Sequence, residues 1–379
     1  MRTALRNAHV LTDAGFREDV VVLVEDGVVA ALVAADDLRT RDTEPHDLGG
    51  AFLLPGFIDC QVNGGGDVLF NEAPTVETIR CIGAAHQRFG TTGFLPTLIS
   101  DDVDVMCAAI AAVDAAIAEG VPGVLGIHLE GPYLAPARRG VHDATKFRAP
   151  DAAEIDLVSS LRGGKTVLTI APERVPVESI RELVRRGVIV SAGHTAATYA
   201  EMRAALDAGV RGFTHLYNAM SPLTAREPGV VGAALEDRAS WCGIVVDGHH
   251  VHPASLRVAL AAKPRGKLML VTDAMPPVGG DMNTFALAGV KATCRDGRCE
   301  TADGVLAGSA LDMASAVRNA VSTLGVALDE AARMASAYPA EFLGVAASRG
   351  AIAAGLRADF VELADDLTVR RTWIAGRAN

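Results

Sequence analysis

The stretch Val124–Glu130, VLGIHLE, is a short apolar run that ends in a residue able to bind a metal ion or carry a proton. An apolar run of this length is typical of a buried strand in a parallel sheet. Three later runs have the same form: VIVSAGH ends at His194, GFTH at His215 and KLMLVTD at Asp273. Because α/β barrels carry their active sites at the carboxyl ends of their strands, these four ends predict one convergent site.

Strands and helices alternate through the middle of the chain. Candidate strands lie near residues 53–63, 92–100, 123–130, 166–173, 188–194, 212–218, 240–247 and 267–273. Helices are predicted between most of them and after the last, for example over residues 76–89, 103–119, 309–324 and 329–343. This pattern fits an α/β fold, a (β/α)8 barrel of the TIM type. A doubly wound open sheet is the alternative, but Gly64-Gly65-Gly66 after the first strand lacks the spacing of a dinucleotide-binding loop.

Both ends of the chain are rich in short strands. Residues 19–24 and 28–33 flank Glu25-Asp26-Gly27, which is a hairpin signal, and residues 359–363 and 369–374 are again strand-like. We therefore expect the two termini to form one small β-sandwich domain, residues 1–52 with 348–379, attached to a catalytic barrel over residues 53–347.

The charge and composition exclude several classes of partner. The formal net charge of −11 argues against a nucleic-acid ligand, which favours a basic face. No window resembles a membrane span, and the start of the chain lacks the apolar core of a signal peptide, so the cytoplasm is the expected compartment. A small anionic ligand stays possible, because a few local cations can hold one phosphate.

The six cysteines include no Cys-x-x-Cys pair, so a thiolate zinc site is not expected. Cys294 and Cys299 flank an Asp-Gly turn and are predicted to face each other across a hairpin. In a reducing compartment they are expected to be free thiols, although whether they ever pair is left open.

Glu130, His194 and His215 are the candidate metal ligands. A Glu-His-His set binds a divalent cation and leaves a position open for water. Asp273 is the candidate proton carrier. Each residue has a plainer alternative. Glu130 could cap a turn or pair with an arginine, the two histidines could be hydrogen-bonded core residues, and Asp273 could be a helix N-cap. Together the four ends predict a metal-dependent hydrolase.

Gln61 and Asn63 lie at alternate positions of the first predicted barrel strand, so both face the same side. A His-x-His pair there would provide ligands for a second metal ion, whereas amides bind such metals poorly. We therefore expect one metal ion per chain.

The chain resembles the amidohydrolase superfamily and, within it, the N-acetylglucosamine-6-phosphate deacetylase family. The resemblance runs through nearly the whole chain, in order. The motifs that carry it are LPGFID at residues 54–59, HLEGPY at 128–133, GHT at 193–195, HLYNAM at 215–220, REPG at 226–229, DGHH at 247–250, VTDA at 271–274 and LAGS at 306–309.

The resemblance implies a role for each matching residue. Glu130, His194 and His215 would hold one divalent metal ion, zinc or else iron; Asp273 would be the general base and then the acid; and His142 would polarise the acetamide carbonyl. The implied substrate contacts are Val141, His142, Asn218, Ala219, Arg226, His250, Leu306, Ala307 and Gly308. Arg226 would reach the neighbouring subunit's site, which implies a homodimer. A surface salt bridge is the plainer interpretation of Arg226.

The activity expected from the resemblance is hydrolysis of N-acetyl-D-glucosamine 6-phosphate to acetate and D-glucosamine 6-phosphate. Two alternatives stay open. One is another amidohydrolase, such as a D-aminoacylase-like or dihydroorotase-like enzyme, which would not need Arg226 and His250 for a phosphate. The other is a barrel that serves only as a scaffold.

Overall fold

The computed structural model describes residues 2–378. Its strands, in chain order, are β1 (Arg2–Thr12), β2 (Gly15–Arg17), β3 (Val20–Glu25), β4 (Val28–Ala34), β5 (Glu44–Pro55), β6 (Phe57–Val62), β7 (Gly64–Gly65), β8 (Val68–Leu69), β9 (Thr91–Ile99), β10 (Gly126–Glu130), β11 (Lys165–Ile170), β12 (Ile189–Ala192), β13 (Gly212–Phe213), β14 (Trp241–Ile244), β15 (Leu268–Leu270), β16 (Thr284–Leu287), β17 (Val290–Arg295), β18 (Arg298–Thr301), β19 (Leu306–Ser309), β20 (Phe360–Leu363), β21 (Val369–Ile374) and β22 (Arg377–Ala378).

Its α-helices, in chain order, are α1 (Val76–Gln87), α2 (Val103–Ala118), α3 (Ala152–Val158), α4 (Val177–Arg185), α5 (Tyr199–Asp207), α6 (Gly229–Glu236), α7 (Pro253–Ala262), α8 (Met313–Leu324), α9 (Leu328–Ala335) and α10 (Ala337–Leu343). Across residues 2–378, no helix is both long enough and apolar enough to cross a bilayer.

The predicted barrel is confirmed. Eight strands pair in parallel in the order β6, β9, β10, β11, β12, β13, β14, β15, and helices α1 to α8 follow them in turn. The ring closes between the segment after β15 and the end of β6. There a parallel bridge joins Val62 to Ala274, and the backbone N–H of Asp273 donates to the Gln61 carbonyl at 3.0 Å. Closure brings the polar ends of the first and last strands together.

The two termini form one sheet, as predicted. Its strand order is β22-β21-β20-β5-β1-β3-β4, with β2 on the edge of β1, and β1 pairs with β5 in parallel. The expected hairpin joins β3 to β4 through Asp26 and Gly27, both with positive φ, as a tight turn requires. Strand β5 continues to Pro55, where it pairs with Phe360 of β20. Because β5 runs through residue 52 without a break, the strand itself does not mark a domain boundary there, and the boundary stays a prediction.

A separate four-stranded antiparallel sheet, β16 to β19, lies between the last barrel strand and α8. We call it the hairpin sheet. Its strand β19 includes Ser309, so the helix predicted from Ser309 begins instead at Met313, after the N-cap Asp312. The helix predicted over residues 329–343 is two helices, α9 and α10, which meet at Ser336. Pro339 explains the break, because its ring cannot occupy the interior of a continuous helix.

Cys294 and Cys299 face each other between β17 and β18, as expected from the turn. They form a disulfide, which corrects the expectation of two free thiols. The register is the reason: the two-residue Asp296-Gly297 turn places the two residues directly opposite each other, where cysteine side chains can join.

Candidate active site

Four side chains from four barrel strands converge at the carboxyl end of the barrel. Glu130 is the last residue of β10, while His194, His215 and Asp273 come just after β12, β13 and β15. The last three have left-handed backbones, with φ of 47°, 34° and 53°. Such a conformation costs about 1–3 kcal/mol for a non-glycine residue, and it is found where the surroundings hold a functional group in place.

Packing explains the glycine before His194. A Cβ at Gly193 would lie 2.7 Å from the Thr169 side chain and 3.1 Å from that of Thr214. Only glycine therefore lets β12 lie between its neighbours at this level. The sequence motif Gly-His-Thr has a steric basis as well as a chemical one.

Glu130, His194 and His215 form a compact group of metal-ligand atoms. Glu130 Oε1 lies 2.9 Å from His215 Nε2 and 3.2 Å from His194 Nε2, and the two Nε2 atoms are 3.1 Å apart. All three side chains are buried. Two imidazoles and one carboxylate at this spacing are a ligand set for a divalent cation such as zinc.

The second nitrogen of His194 fits the same role. His194 Nδ1 lies 2.8 Å from the backbone carbonyl oxygen of Arg138, which can only accept. The proton is therefore on Nδ1, and the Nε2 lone pair faces Glu130 and His215. Metal-binding histidines are commonly oriented by a second hydrogen bond of this kind.

The charges at the group also suit a cation. Burial alone would raise the pKa of Glu130, but its contacts with the imidazoles of His194 and His215 outweigh burial and hold that pKa well below its usual range. Burial lowers the pKa of His215, yet the Glu130 carboxylate more than compensates, so the net shift is upward. A buried, ionised Glu130 is stable only beside a positive charge, and a metal ion would provide that charge.

Asp273 lies beside this group and is held by the two amides of β6. Its Oδ1 accepts from Asn63 Nδ2 at 2.7 Å and from Gln61 Nε2 at 3.0 Å. Gln61 Nε2 also lies 3.4 Å from both oxygens of Glu130. The two positions that a His-x-His pair would occupy are therefore filled by buried neutral donors.

His250 joins Asp273 to a second acid, Asp247. Its Nδ1 lies 2.6 Å from Asp247 Oδ2, and its Nε2 lies 3.7 Å from Asp273 Oδ2. Burial would lower the pKa of His250, but Asp247 and Asp273 outweigh burial and raise it to about 9. His250 is therefore a cation at neutral pH, directly beside Asp273.

His142 presents a neutral imidazole to the cavity. Burial, followed by the neighbouring His194, lowers the pKa of His142 to about 3. The backbone N–H of Ser100 donates to His142 Nδ1 at 3.4 Å, and Ser100 Oγ lies 2.9 Å from the same nitrogen. Since a backbone N–H can only donate, Nδ1 carries the lone pair and Nε2 carries the proton. A neutral donor of this kind can stabilise a developing oxyanion.

His128 shares the inward face of β10 with Glu130 but is not part of the ligand group. Its Nε2 lies 2.8 Å from Thr169 Oγ1 and its Nδ1 lies 3.2 Å from Thr97 Oγ1. Burial lowers the pKa of His128 to about 4. Both ring nitrogens are engaged one level deeper in the barrel, so this histidine is a neutral core residue.

One cavity of about 240 Å³ brings most of the predicted site residues together. Its walls include Glu130, Val141, His142, His194, His215, Asn218, Ala219, His250, Asp273, Leu306 and Gly308. Asn63 also lines it, and Asn63 Oδ1 is buried with no hydrogen-bond partner in the described chain. That free acceptor is available to a donor on a ligand.

Two predicted contacts lie elsewhere. Ala307 is fully buried in the small apolar cluster beneath the hairpin sheet, because its position in β19 faces the side opposite to Leu306 and Gly308. Arg226 is exposed, on the segment between β13 and α6, and is not part of the cavity wall within residues 2–378. The same wall contains no arginine and no lysine, although Arg138 and Arg139 directly precede its residue Gly140.

Three residues of the site were given no role from the sequence: Asp247, Ser100 and Asp59. Asp247 belongs to the Asp-Gly-His-His motif, and its spacing to His250 within one turn was a usable signal. Ser100 and Asp59 had no comparable signal, because they act through contacts with distant segments. Asp59 accepts from Thr272, which is adjacent to Asp273.

The chain is similar to known proteins along nearly its whole length. The model of the amidohydrolase family matches residues 52–378. An N-acetylgalactosamine-6-phosphate deacetylase from Shewanella sp. (strain ANA-3) is 46% identical, over 97% of this chain and 94% of the relative. An N-acetylgalactosamine-6-phosphate deacetylase from Escherichia coli O157:H7 is 37% identical, over 100% of this chain and 99% of the relative. The crystal structure of N-acetylglucosamine-6-phosphate deacetylase from Pasteurella multocida superposes with a TM-score of 0.97 at 34% identity, and the match covers all of both chains.

Proposed function

The chain belongs to the amidohydrolase family, and on that premise we propose that it removes the acetyl group from an N-acetylated hexosamine 6-phosphate. N-acetyl-D-glucosamine 6-phosphate is the substrate expected from the sequence motifs, and the products are acetate and D-glucosamine 6-phosphate. The observation that carries the proposal is the Glu130-His194-His215 group, which lies in one cavity with Asp273 and His142.

The role that we propose for each residue follows from its contacts. Glu130, His194 and His215 hold one divalent cation, zinc by preference and iron as the alternative, since both suit imidazole and carboxylate. When bound, the cation supplies Lewis acidity toward water and the acetamide carbonyl. Gln61 and Asn63 occupy the place of a second ligand pair, so we propose a single ion per chain.

Asp273 takes the proton of the attacking water and passes it to the sugar nitrogen as the C–N bond breaks. His142 donates from Nε2 to the carbonyl oxygen, which becomes negative as the tetrahedral intermediate forms. The protonated imidazole of His250, held by Asp247 at 2.6 Å, lies 3.7 Å from Asp273 Oδ2 and attracts that carboxylate.

We further propose that the phosphate is held by a second copy of this chain. The cavity wall in residues 2–378 carries no arginine or lysine, and its cationic His250 is already engaged by Asp247, so a phosphate dianion lacks a guanidinium partner there. Arg226 is exposed and free to serve a neighbouring site. Leu223 and Val258, each 55% exposed, border an apolar groove beside the same segment, as expected of a covered surface in a homodimer.

The galacto epimer is a second candidate substrate. The relatives that are 46% and 37% identical both carry the name N-acetylgalactosamine-6-phosphate deacetylase. The two substrates differ only in the configuration at C4, which is remote from the acetamide. The chemistry proposed for Asp273 and His142 is therefore the same for both. A charged sugar phosphate also fits a cytoplasmic enzyme, because charge crosses a bilayer at high cost.

The test is acetate release from four substrates: both epimers, each with and without the 6-phosphate. We expect turnover of at least one phosphorylated epimer, and a drop of about 10²-fold or more in kcat/KM without the phosphate, because charge-assisted contacts are lost. Removal of metal with a chelator should abolish turnover, and Asp273→Asn should lower kcat by about 10²–10⁴-fold with metal still bound. Equal rates on phosphorylated and unphosphorylated sugars would exclude the phosphate specificity.

A further inference from the structure

Asp273 has two carboxylate oxygens with different surroundings. Oδ1 accepts two amide N–H groups, from Asn63 at 2.7 Å and from Gln61 at 3.0 Å. Oδ2 has neither of these donors and lies 3.7 Å from His250 Nε2. An ionised carboxylate has about two acceptor positions on each oxygen, so Oδ1 is fully occupied and Oδ2 is not.

We propose that Gln61 and Asn63 are positioning residues that clamp Asp273, so that the reaction's proton is carried on Oδ2 alone. This inference rests on the proposed deacetylase function and extends it to two residues whose only predicted effect was the absence of a second metal ion. A proton on Oδ1 would have to displace one of the two amide donors, whereas Oδ2 can accept it without breaking either contact.

The clamp is built into the closure of the barrel. Gln61 and Asn63 lie on the inward face of β6, and both are almost completely buried. The backbone of the same strand accepts from the N–H of Asp273 at 3.0 Å, so strand and carboxylate are fixed together. A carboxylate held at both backbone and Oδ1 loses little freedom on reaching the transition state.

Neutral amides suit this position better than charged donors. Glu130 and Asp273 are both acids, and Gln61 Nε2 lies between them, 3.4 Å from the oxygens of Glu130. An amide satisfies both carboxylates without gaining or losing a proton itself. The clamp can therefore orient Asp273 without competing with it for the transferred proton.

The experiment measures kcat, KM, bound metal and thermal unfolding for four variants: Asn63→Asp, Asn63→Ala, Gln61→Glu and, as the matched control, Asn7→Asp. Asn7 is exposed, remote from the cavity, and also donates to an aspartate, Asp47, at 2.8 Å. The substrate is the phosphorylated epimer that the unmodified chain hydrolyses faster.

We expect Asn63→Asp and Gln61→Glu to lower kcat by about 10²-fold, because each removes a donor and adds a carboxyl that repels Asp273. Asn63→Ala should lower kcat by about tenfold, since one amide remains. KM should stay near that of the unmodified chain in Gln61→Glu, since Gln61 does not line the cavity. Metal content and the unfolding midpoint should stay near those of the unmodified chain in Asn63→Ala, which adds no charge, and Asn7→Asp should match the unmodified chain throughout.

The proposal is overturned if all three site variants keep kcat within about threefold of the unmodified chain. It is also overturned if kcat falls only in step with metal content, because the amides would then act on the ligand group. Should Asn63→Asp fail to fold, Asn63→Ala decides between these outcomes. If the unmodified chain releases no acetate from either sugar phosphate, the proposed function itself fails, which is a distinguishable result.

Discussion

At the residue scale, Asp59 is a buried acid that the proposed chemistry does not use. It accepts hydrogen bonds from the hydroxyl of Thr272 and from the N–H groups of Gln61 and Thr272, so it anchors the segment that carries Asp273. Burial raises the pKa of Asp59 to about 7, although these hydrogen bonds oppose the shift. Asp59 is therefore a buried titratable group whose hydrogen bonds fix the position of Thr272.

The pH dependence of stability follows from that pKa. An aspartate has a pKa of about 3.9 in the unfolded chain, so the folded chain binds the proton more tightly. Its contribution to stability is complete below about pH 4 and is lost as the pH rises through about 7. The Asp59→Asn variant does not lose this stability as the pH rises, because an asparagine side chain does not titrate in this range. The free energy of unfolding of the variant, relative to the unmodified chain, should rise by up to ~4 kcal/mol from pH 4 to 8.

Chemical denaturation at a series of pH values measures this difference. Asp13→Asn, at an exposed position, is the control and should follow the unmodified chain. A constant difference between Asp59→Asn and the unmodified chain across the range would show that Asp59 stays ionised in the folded state.

At the element scale, β10 depends on one glycine. Gly126 begins the strand with φ of +154°, and a Cβ there would lie 1.9 Å from the carbonyl oxygen of Lys165 in β11. Backbone cannot yield as a flexible side chain can. The substitution must therefore move β10 away from β11, and with it Glu130 at the other end of the strand.

We expect Gly126→Ala to destabilise the chain by about 3 kcal/mol or more and to lower its metal content, because a ligand-bearing strand is displaced. Gly120→Ala is the control: it also has positive φ, but a Cβ there meets nothing within 4 Å. That control should cost only about 1–2 kcal/mol and leave metal binding intact. Equal losses in the two variants would show that φ, not the strand contact, decides the effect.

Element boundaries show where local sequence signals stop being sufficient. The predicted helix starts at Val76 and Val103 agree with the structure, because the caps Thr75 and Asp102 precede apolar periodic runs. The sequence predicts a helix from Ser309, but this residue belongs to β19, whose pairing partner β18 is formed by residues near 300. A short strand next to a helix has too few residues to show the alternation of apolar and polar side chains that is typical of a strand.

At the scale of the whole molecule, the proposed dimer can be tested by mixing two inactive variants. Arg226→Ala lacks the proposed phosphate contact, and Asp273→Asn lacks the proton carrier. If Arg226 serves the neighbouring chain, a mixed dimer has one complete site, formed by Asp273 of one chain and Arg226 of the other. Random exchange at equal amounts should restore about a quarter of the unmodified activity, since half the dimers are mixed and each has one working site of two.

Activity after denaturation and joint refolding, compared with each variant refolded alone, measures this effect. Sedimentation of the unmodified chain at assay concentration provides the independent check on the dimer. Mixtures no more active than the separate variants would show that Arg226 acts within its own chain or not at all.

The sequence alone determined the alternating pattern, the four polar strand ends and the family, because each of these is a local signal repeated in order along the chain. The tertiary structure decided what those residues face. Gln61 and Asp273 are 212 residues apart, and only closure of the barrel brings them within 3.0 Å. The tautomer of His194, the approach of His250 to Asp273, and the clamp on Oδ1 all depend on such contacts. No local pattern encodes them, since hydrogen bonds depend on distance in space and not on distance along the chain.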